Sequence, residues 1–503
     1  MKKISSILVI AILIGVLSSC ASYNHKLFNN AVSYATERDV PEKSAGCKAT
    51  SYEMDITLDT NSKTVYGNTK VTCKNMTDSD IKDICFRLYS ASISEGTIKK
   101  AFNCDTERDL EISTQRDSSV IYVKLGEDYI APGGAVTLDL EFSSVIPETK
   151  NRFGYYNFGD GTIYNLTFCF PQLSFLEDGK WFEDKYIERG ETVCNDMSDY
   201  YVKLTLPTEY TVVSGGTHEI NEDGIIEINA PNVREMAITA CNSAEIKTKE
   251  ADGITYNILM PTYDLRSEEY RNALYDLILD VSIDAAEMYS DLVGDYIYDE
   301  LDIVPMYIDN AGGMEMPGLV QVAIYDPDAE YGTPAGEISA HSAIHEVGHQ
   351  WFYCAVGNNQ SRDPWLDESF TSYLEYYYMT YGKKGITEIT NFVTTHNGIE
   401  SHSISNTFSD TDDGSVNKYI NMKTSDYDDK SYEIVYFNGA WFLRKLELAM
   451  GEEKFKKMIT EWYEENTYEI AGGISFINHV LEYDSSGNVK NIINHFISDS
   501  NLS

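Results

Sequence analysis

The sequence predicts an α+β chain of more than one domain, with an N-terminal antiparallel, sandwich-like β domain followed by a mixed α/β domain. Between Cys47 and about Ile246, apolar and polar residues alternate with period two in short runs parted by Gly, Asn and Asp clusters. From Glu268 the apolar spacing changes to the i, i+3, i+4, i+7 stripe of buried helices. The length of 503 residues also exceeds the roughly 250 to 300 at which a single core stops growing.

At the N-terminus, Lys2 and Lys3 precede the apolar run from Ile7 to Val16, too short for a mature membrane span and suited to a signal peptide over residues 1–19. The run ends in Leu17-Ser18-Ser19-Cys20, which resembles the lipobox of bacterial lipoproteins. That resemblance implies acylation of Cys20 and a protein held outside the cytoplasm on a bacterial membrane, at the cell surface or the periplasmic side. Residues 20–45 then carry the anchor and a polar tether with Asn24, Asn29, Asn30 and Pro41. No later stretch reaches about 18 apolar residues, so membrane attachment is expected through the lipid alone.

The β domain is expected over 46–247, with strands at Tyr52–Asp59, Val65–Val71, Val120–Leu125, Val136–Phe142 and Tyr201–Leu206. The second domain, 248–503, is expected to turn helical after Asp252-Gly253. Its first helix runs over Glu268–Leu292 with Leu274, Leu277, Ile278 and Val281 on one face. A strand over Leu301–Ile308, a turn at Gly312-Gly313, a strand over Leu319–Ile324 and further helices follow. The Ser-, Thr- and Asp-rich run from His396 to Ser431 reads as a long surface loop.

The formal charge of −41, from 80 acidic and 39 basic residues, argues against nucleic acid, because phosphate neutralisation needs clustered Lys and Arg. Beyond Cys20 there are eight cysteines and no Cys-x-x-Cys pair, so neither a cysteine zinc site nor a thioredoxin-like motif has support, and disulfide pairing stays open. The sequence leaves the oligomeric state equally open.

One helical segment, expected over Ala340–Cys354, carries His345-Glu346-Val347-Gly348-His349. Imidazoles four residues apart on a helix share a face and can chelate one ion, and Glu346 is placed beside them to take a proton from an attacking water. Such a string arises by chance in roughly one chain in a hundred of this length. Two imidazoles leave a catalytic zinc one protein ligand short. Glu368, on a helix expected to start with Asp363 as cap and Pro364 at its first position, supplies it nineteen residues after His349. His341, one turn earlier, reads as a supporting residue, since a fourth protein ligand would close the position that water needs. The reading is one Zn2+ per chain.

These residues together resemble the aminopeptidase N family of zinc metallopeptidases, the gluzincins. Gly312-Gly313-Met314-Glu315 is similar to that family's exopeptidase motif, and Tyr436-Phe437-Asn438-Gly439-Ala440 to its Tyr-x-x-Gly-Ala segment. The run Gly294 to Tyr298, followed by Leu301 to Val304, resembles the strand leading into the active site. The resemblance implies a thermolysin-like catalytic domain, peptide substrates and removal of N-terminal residues. Glu315 would bind the substrate α-ammonium, Gly312, Gly313 and Met314 would line the substrate backbone, and Tyr436 would donate to the oxyanion. Met316 stands where the family has Asn, and Asp367 and Ser369 stand where Asn and Gly are usual. The sequence ends at Ser503, about where the family's catalytic domain ends, so a short form without the C-terminal helical domain and with a more open cleft is expected. An endopeptidase on the same zinc chemistry is the alternative, and a non-catalytic peptide-binding lipoprotein a further one.

Overall fold

The computed structural model describes residues 46–115, 117–187, 190, 193–397, 419–428 and 432–502. The signal sequence, Cys20, the tether and most of the expected loop at 396–431 lie outside these residues.

The β domain is built on an eleven-stranded sheet whose middle runs through Ala135–Val145, Thr64–Asn75, Cys47–Asp59 and Ser198–Thr205. Its pairings are antiparallel except that Cys47–Asp59 lies parallel to Ser198–Thr205, with Met54 opposite Val202. The alternating pattern of Cys47–Asp59 accounts for its register. Tyr52, Met54, Ile56 and Leu58 go into the core and Glu53 and Asp55 to solvent, so a slip of one residue would bury carboxylates.

A second, four-stranded sheet of Thr211–Ser214, Ile238–Cys241, Gly161–Leu166 and Phe153–Phe158 forms a wall shared by the two domains. Neighbouring residues in its strands face opposite cores. Val212, Ala240 and Tyr164 join the β-domain core, whereas Val213, Cys241 and Ile163 join the core of the second domain. With both faces apolar and buried, the wall fixes one domain against the other.

The second domain opens with a five-stranded sheet in the order Ala244–Ala251, Ile254–Pro261, Glu300–Met306, Leu319–Ala323, Gly313–Met316. The boundary expected at 247/248 falls inside the first of these strands. Asp252 and Gly253, expected to lead into helix, instead form a two-residue hairpin turn with φ values of 51° and 81°. Both positions of such a turn need positive φ, which Asp tolerates and Gly adopts freely. The helix Glu268–Leu292, capped by the Ser267 side chain, crosses back to place Glu300–Met306 parallel to Ile254–Pro261. Gly313–Met316 pairs antiparallel with Leu319–Ala323 on one side and is left as an edge.

The segment expected as helix over Ala340–Cys354 is helical over Ala335–Gly348 and then turns sharply. Tyr353 has a φ of 100°, a strained value for a bulky side chain, and its hydroxyl donates to Glu235 at 2.5 Å. The fully buried Arg234 donates to the carbonyls of Tyr353, Cys354 and Ala355 at 2.9 to 3.2 Å, and to those of Asn195 and Glu469. Past Gly348 the carbonyls of His349, Gln350 and Trp351 accept from the N–H groups of Cys354, Ala355 and Val356, five residues on rather than four, and the β-domain guanidinium holds the turn that results. Among the described residues no helix is long and apolar enough to cross a membrane.

Replacement of Arg234 by Met would strand several buried carbonyls, at about 1 to 3 kcal/mol for each that finds no new partner. Urea denaturation is expected to show a midpoint well below that of the parent. An unchanged midpoint would contradict the clamp.

Candidate active site

Three helices and one strand edge assemble the site. His345 projects from Ala335–Gly348, and His349 stands at its C-cap, where a φ of −63° keeps it in the helical region and on the same face. Glu368 lies in the first turn of Trp365–Tyr381. Pro364, not Asp363, occupies the cap position of that helix, and the Asp363 carboxylate instead accepts the Trp365 indole N–H at 3.3 Å.

The two Nε2 atoms are 3.2 Å apart, and Glu368 Oε2 is 3.4 Å from each. Three ligands held 2.0 to 2.1 Å from one ion at tetrahedral angles stand about 3.3 Å apart, so this donor set fits zinc. The back of each ring is held by a carboxylate. Asp367 Oδ1 is 2.6 Å from His349 Nδ1, and Glu375 Oε2 is 3.2 Å from His345 Nδ1. Both imidazoles thereby present Nε2 to the same point. The other oxygen of Glu375 meets His341 Nδ1 at 3.0 Å, which places His341 behind the ligands.

The electrostatics follow from this packing. Burial opposes charge on His345, but its contacts with Glu368 and Glu375 outweigh that and push it up to about 10. Burial likewise opposes charge on Glu368, yet the two imidazoles hold it well below the usual carboxylate range. Glu346 has no such close partner, and burial pushes it up to about 8 against the pull of His345 and His349.

Glu346 lies over the edge strand. A Cβ at Gly313 would stand 2.3 to 2.4 Å from its Cγ, Cδ and Oε1, so only glycine lets strand and carboxylate meet. Gln350, directly after His349, fixes that edge by donating to the Met316 carbonyl and accepting from Gly318 N–H, both at 3.0 Å. Glu315 is buried on the edge strand, and its donor atoms lie within 4.8 Å of those of His349 and Asp367. Its Oε1 has no hydrogen-bond partner, and its Oε2 is 3.6 Å from Arg152. Burial pushes the Glu315 carboxyl up, with Arg152 and His349 pulling against it. Tyr436, in the first turn of the helix Ile434–Met450, donates its hydroxyl to Glu368 Oε1 at 2.6 Å.

The three departures from the family motif find places here. Met316 alternates to the face opposite Glu315 and is fully buried. Asp367 holds His349. Ser369 donates to the Val435 carbonyl at 2.7 Å, and Gly439 packs against it so closely that a Cβ would lie 1.8 Å from its Oγ. The serine thus docks the helix that carries Tyr436. Sequence reasoning missed Glu375, although its spacing of seven from Glu368 puts both on one face of a helix. It also missed Arg152, for which the sequence holds no signal.

Residues 279–496 match the model of the peptidase family M1 domain. That segment is a domain of peptidase family M1. It is 27% identical over 229 residues to tricorn protease-interacting factor F2 of Thermoplasma volcanium, covering 44% of this chain and 28% of that protein. It is 23% identical over 359 residues to aminopeptidase N of Lactococcus lactis subsp. lactis, covering 69% of this chain and 38% of that one. The matched segments therefore span less than half the length of these relatives. The fold also matches the crystal structure of an M1 zinc metallopeptidase from Deinococcus radiodurans, with a TM-score of 0.56 and 14% identity over 90% of this chain and 93% of that one.

Exchange of Glu375 for Gln removes the charge behind His345 while keeping its shape. Zinc affinity, measured by competition with a chelator, is expected to fall about 10- to 100-fold. An unchanged affinity would show that Glu375 does not orient the ligand.

Proposed function

We propose that this M1 protein is a zinc-dependent aminopeptidase that releases N-terminal residues from peptides. The observation that carries this reading is the meeting, at one strand edge, of a tetrahedrally spaced donor set (His345, His349, Glu368) with the Glu346 carboxylate and the half-satisfied Glu315.

Zinc, when bound, supplies a Lewis acid that polarises the scissile carbonyl and acidifies water. The chain does the rest. A peptide pairs with the free edge of Gly313–Met316 as an added strand, which fixes the direction of its backbone. Glu315 takes the α-ammonium, so that the first peptide bond, rather than a later one, stands opposite Glu346. Glu346 removes a proton from the attacking water and returns it to the leaving amine. Tyr436 shifts its hydroxyl from Glu368 to the oxyanion that develops on the former carbonyl.

The zinc-loaded protein is expected to cleave peptides with free N-termini one residue at a time and to spare their N-acetylated forms. Cleavage of both at internal bonds would make it an endopeptidase. Glu346→Gln is expected to retain zinc and to lose at least about a hundredfold in kcat, because the ligands remain and the base is gone.

The enzyme's placement outside the cytoplasm on a lipid anchor is part of the same proposal, supported by Lys2, Lys3, the apolar run at 7–16 and Cys20. Cys20→Ala is expected to shift the protein from the membrane to the soluble fraction of its host. Retention in the membrane would overturn the anchor.

A further inference from the structure

We infer that Arg152, a residue of the β domain, is a positioning residue for the amine anchor Glu315 and so sets the selectivity of the site for a free N-terminus. The inference rests on the reading of Glu315 given above.

Arg152 directly precedes Phe153–Phe158 in the shared wall, and its side chain is 4% exposed. Its guanidinium meets Glu315, Met314 and Phe168 among its neighbours. Nη2 is 3.6 Å from Glu315 Oε2 and 3.0 Å from Met314 Sδ, and Cζ stands 5.4 Å from the centre of the Phe168 ring. Phe168 has a φ of 69°, a left-handed value unfavourable for a bulky residue, and this strained backbone brings its ring to the guanidinium. Arginine and ring are thus a built support on the β domain, and Met314 and Glu315 are the two edge-strand residues that it touches.

The consequence for Glu315 follows from the distances. At 3.6 Å the contact with Arg152 is an ion pair too long for a hydrogen bond, so it supplies opposite charge without using up the acceptor. Oε1 is left buried and without a partner. A carboxylate in such a place, with Glu346, Glu368 and Asp367 nearby, has every reason to turn away from them. Arg152 holds it by one side and leaves the other for a cation. The match is to a primary ammonium, a compact point charge that one carboxylate oxygen can take. Substrate selection at the zinc site is therefore shared between domains, with the anchor on the catalytic domain and its counter-charge on the β domain.

The test uses the zinc-loaded full chain and two zinc-directed inhibitors, alanine hydroxamate, which carries the α-ammonium, and acetohydroxamate, which lacks it. The parent is expected to prefer alanine hydroxamate. Arg152→Met is expected to lose about tenfold of that preference, with Ki for acetohydroxamate and zinc content unchanged, and Arg152→Lys to keep most of it. A merely structural arginine would weaken both inhibitors together. A preference that is kept or increased in Arg152→Met would overturn the inference, an increase meaning that Arg152 competes with the ammonium. Glu315→Gln separates the two claims. If it leaves the preference intact, the anchor reading itself fails; if it abolishes the preference while Arg152→Met does not, only the role of Arg152 fails. Should Arg152→Met not fold, Phe168→Leu removes the supporting ring and leaves both charges. It is expected to lose at least about threefold of the preference, and no loss would overturn the inference.

Discussion

The candidate site depends on two hydrogen bonds made behind its two imidazoles, Asp367 with His349 and Glu375 with His345. Each fixes an imidazole through Nδ1 and so commits Nε2 to the point that Glu368 also reaches. Because both carboxylates and Glu368 lie on one helix, Trp365–Tyr381, the docking of that single helix against Ala335–Gly348 sets the whole donor geometry. Asp367 and Glu368 are buried and Glu375 is half-buried, so the arrangement is held in a largely low-dielectric setting where misplacement is costly.

Everything else around the site keeps those two helices and one strand edge in register. Tyr289 of the long helix donates to the Ile344 carbonyl, Gln350 ties the edge strand to the end of the helix bearing His345, and Ser369 with Gly439 seats the helix bearing Tyr436. The β domain acts through two buried arginines. Arg234 gathers the carbonyls of the turn that follows His349, and Arg152 stands against Glu315. Buried guanidinium groups suit this work, since each carries five donors in a fixed plane and remains charged.

Where sequence and structure part, the reasons are local and physical. The helix carrying the histidines stops at Gly348, and the turn after it is held by Arg234, a partner 119 to 121 residues distant in the chain. Asp252-Gly253 reads as a break in texture, yet it is a hairpin turn, because pairing of the strands on either side decides what a turn dipeptide connects. Asp367 and Ser369 look like departures from a motif, and in the fold each has a partner that gives it a task.

The sequence by itself determined which residues come together as the candidate donor set. His345, Glu346 and His349 share a face through helical periodicity, Glu368 opens the next helix but one turn away from its cap, and period-two alternation marks the β domain. These signals are local, carried by residues within a few positions of one another, so one chain suffices to read them. Only the tertiary structure decided which oxygen of Glu315 is free, that Gly313 must be glycine because Glu346 lies over it, and that arginines from another domain support the site. Those facts are contacts between residues far apart in sequence, set by how sheets and helices pack, and packing leaves no periodic mark on the chain that makes it.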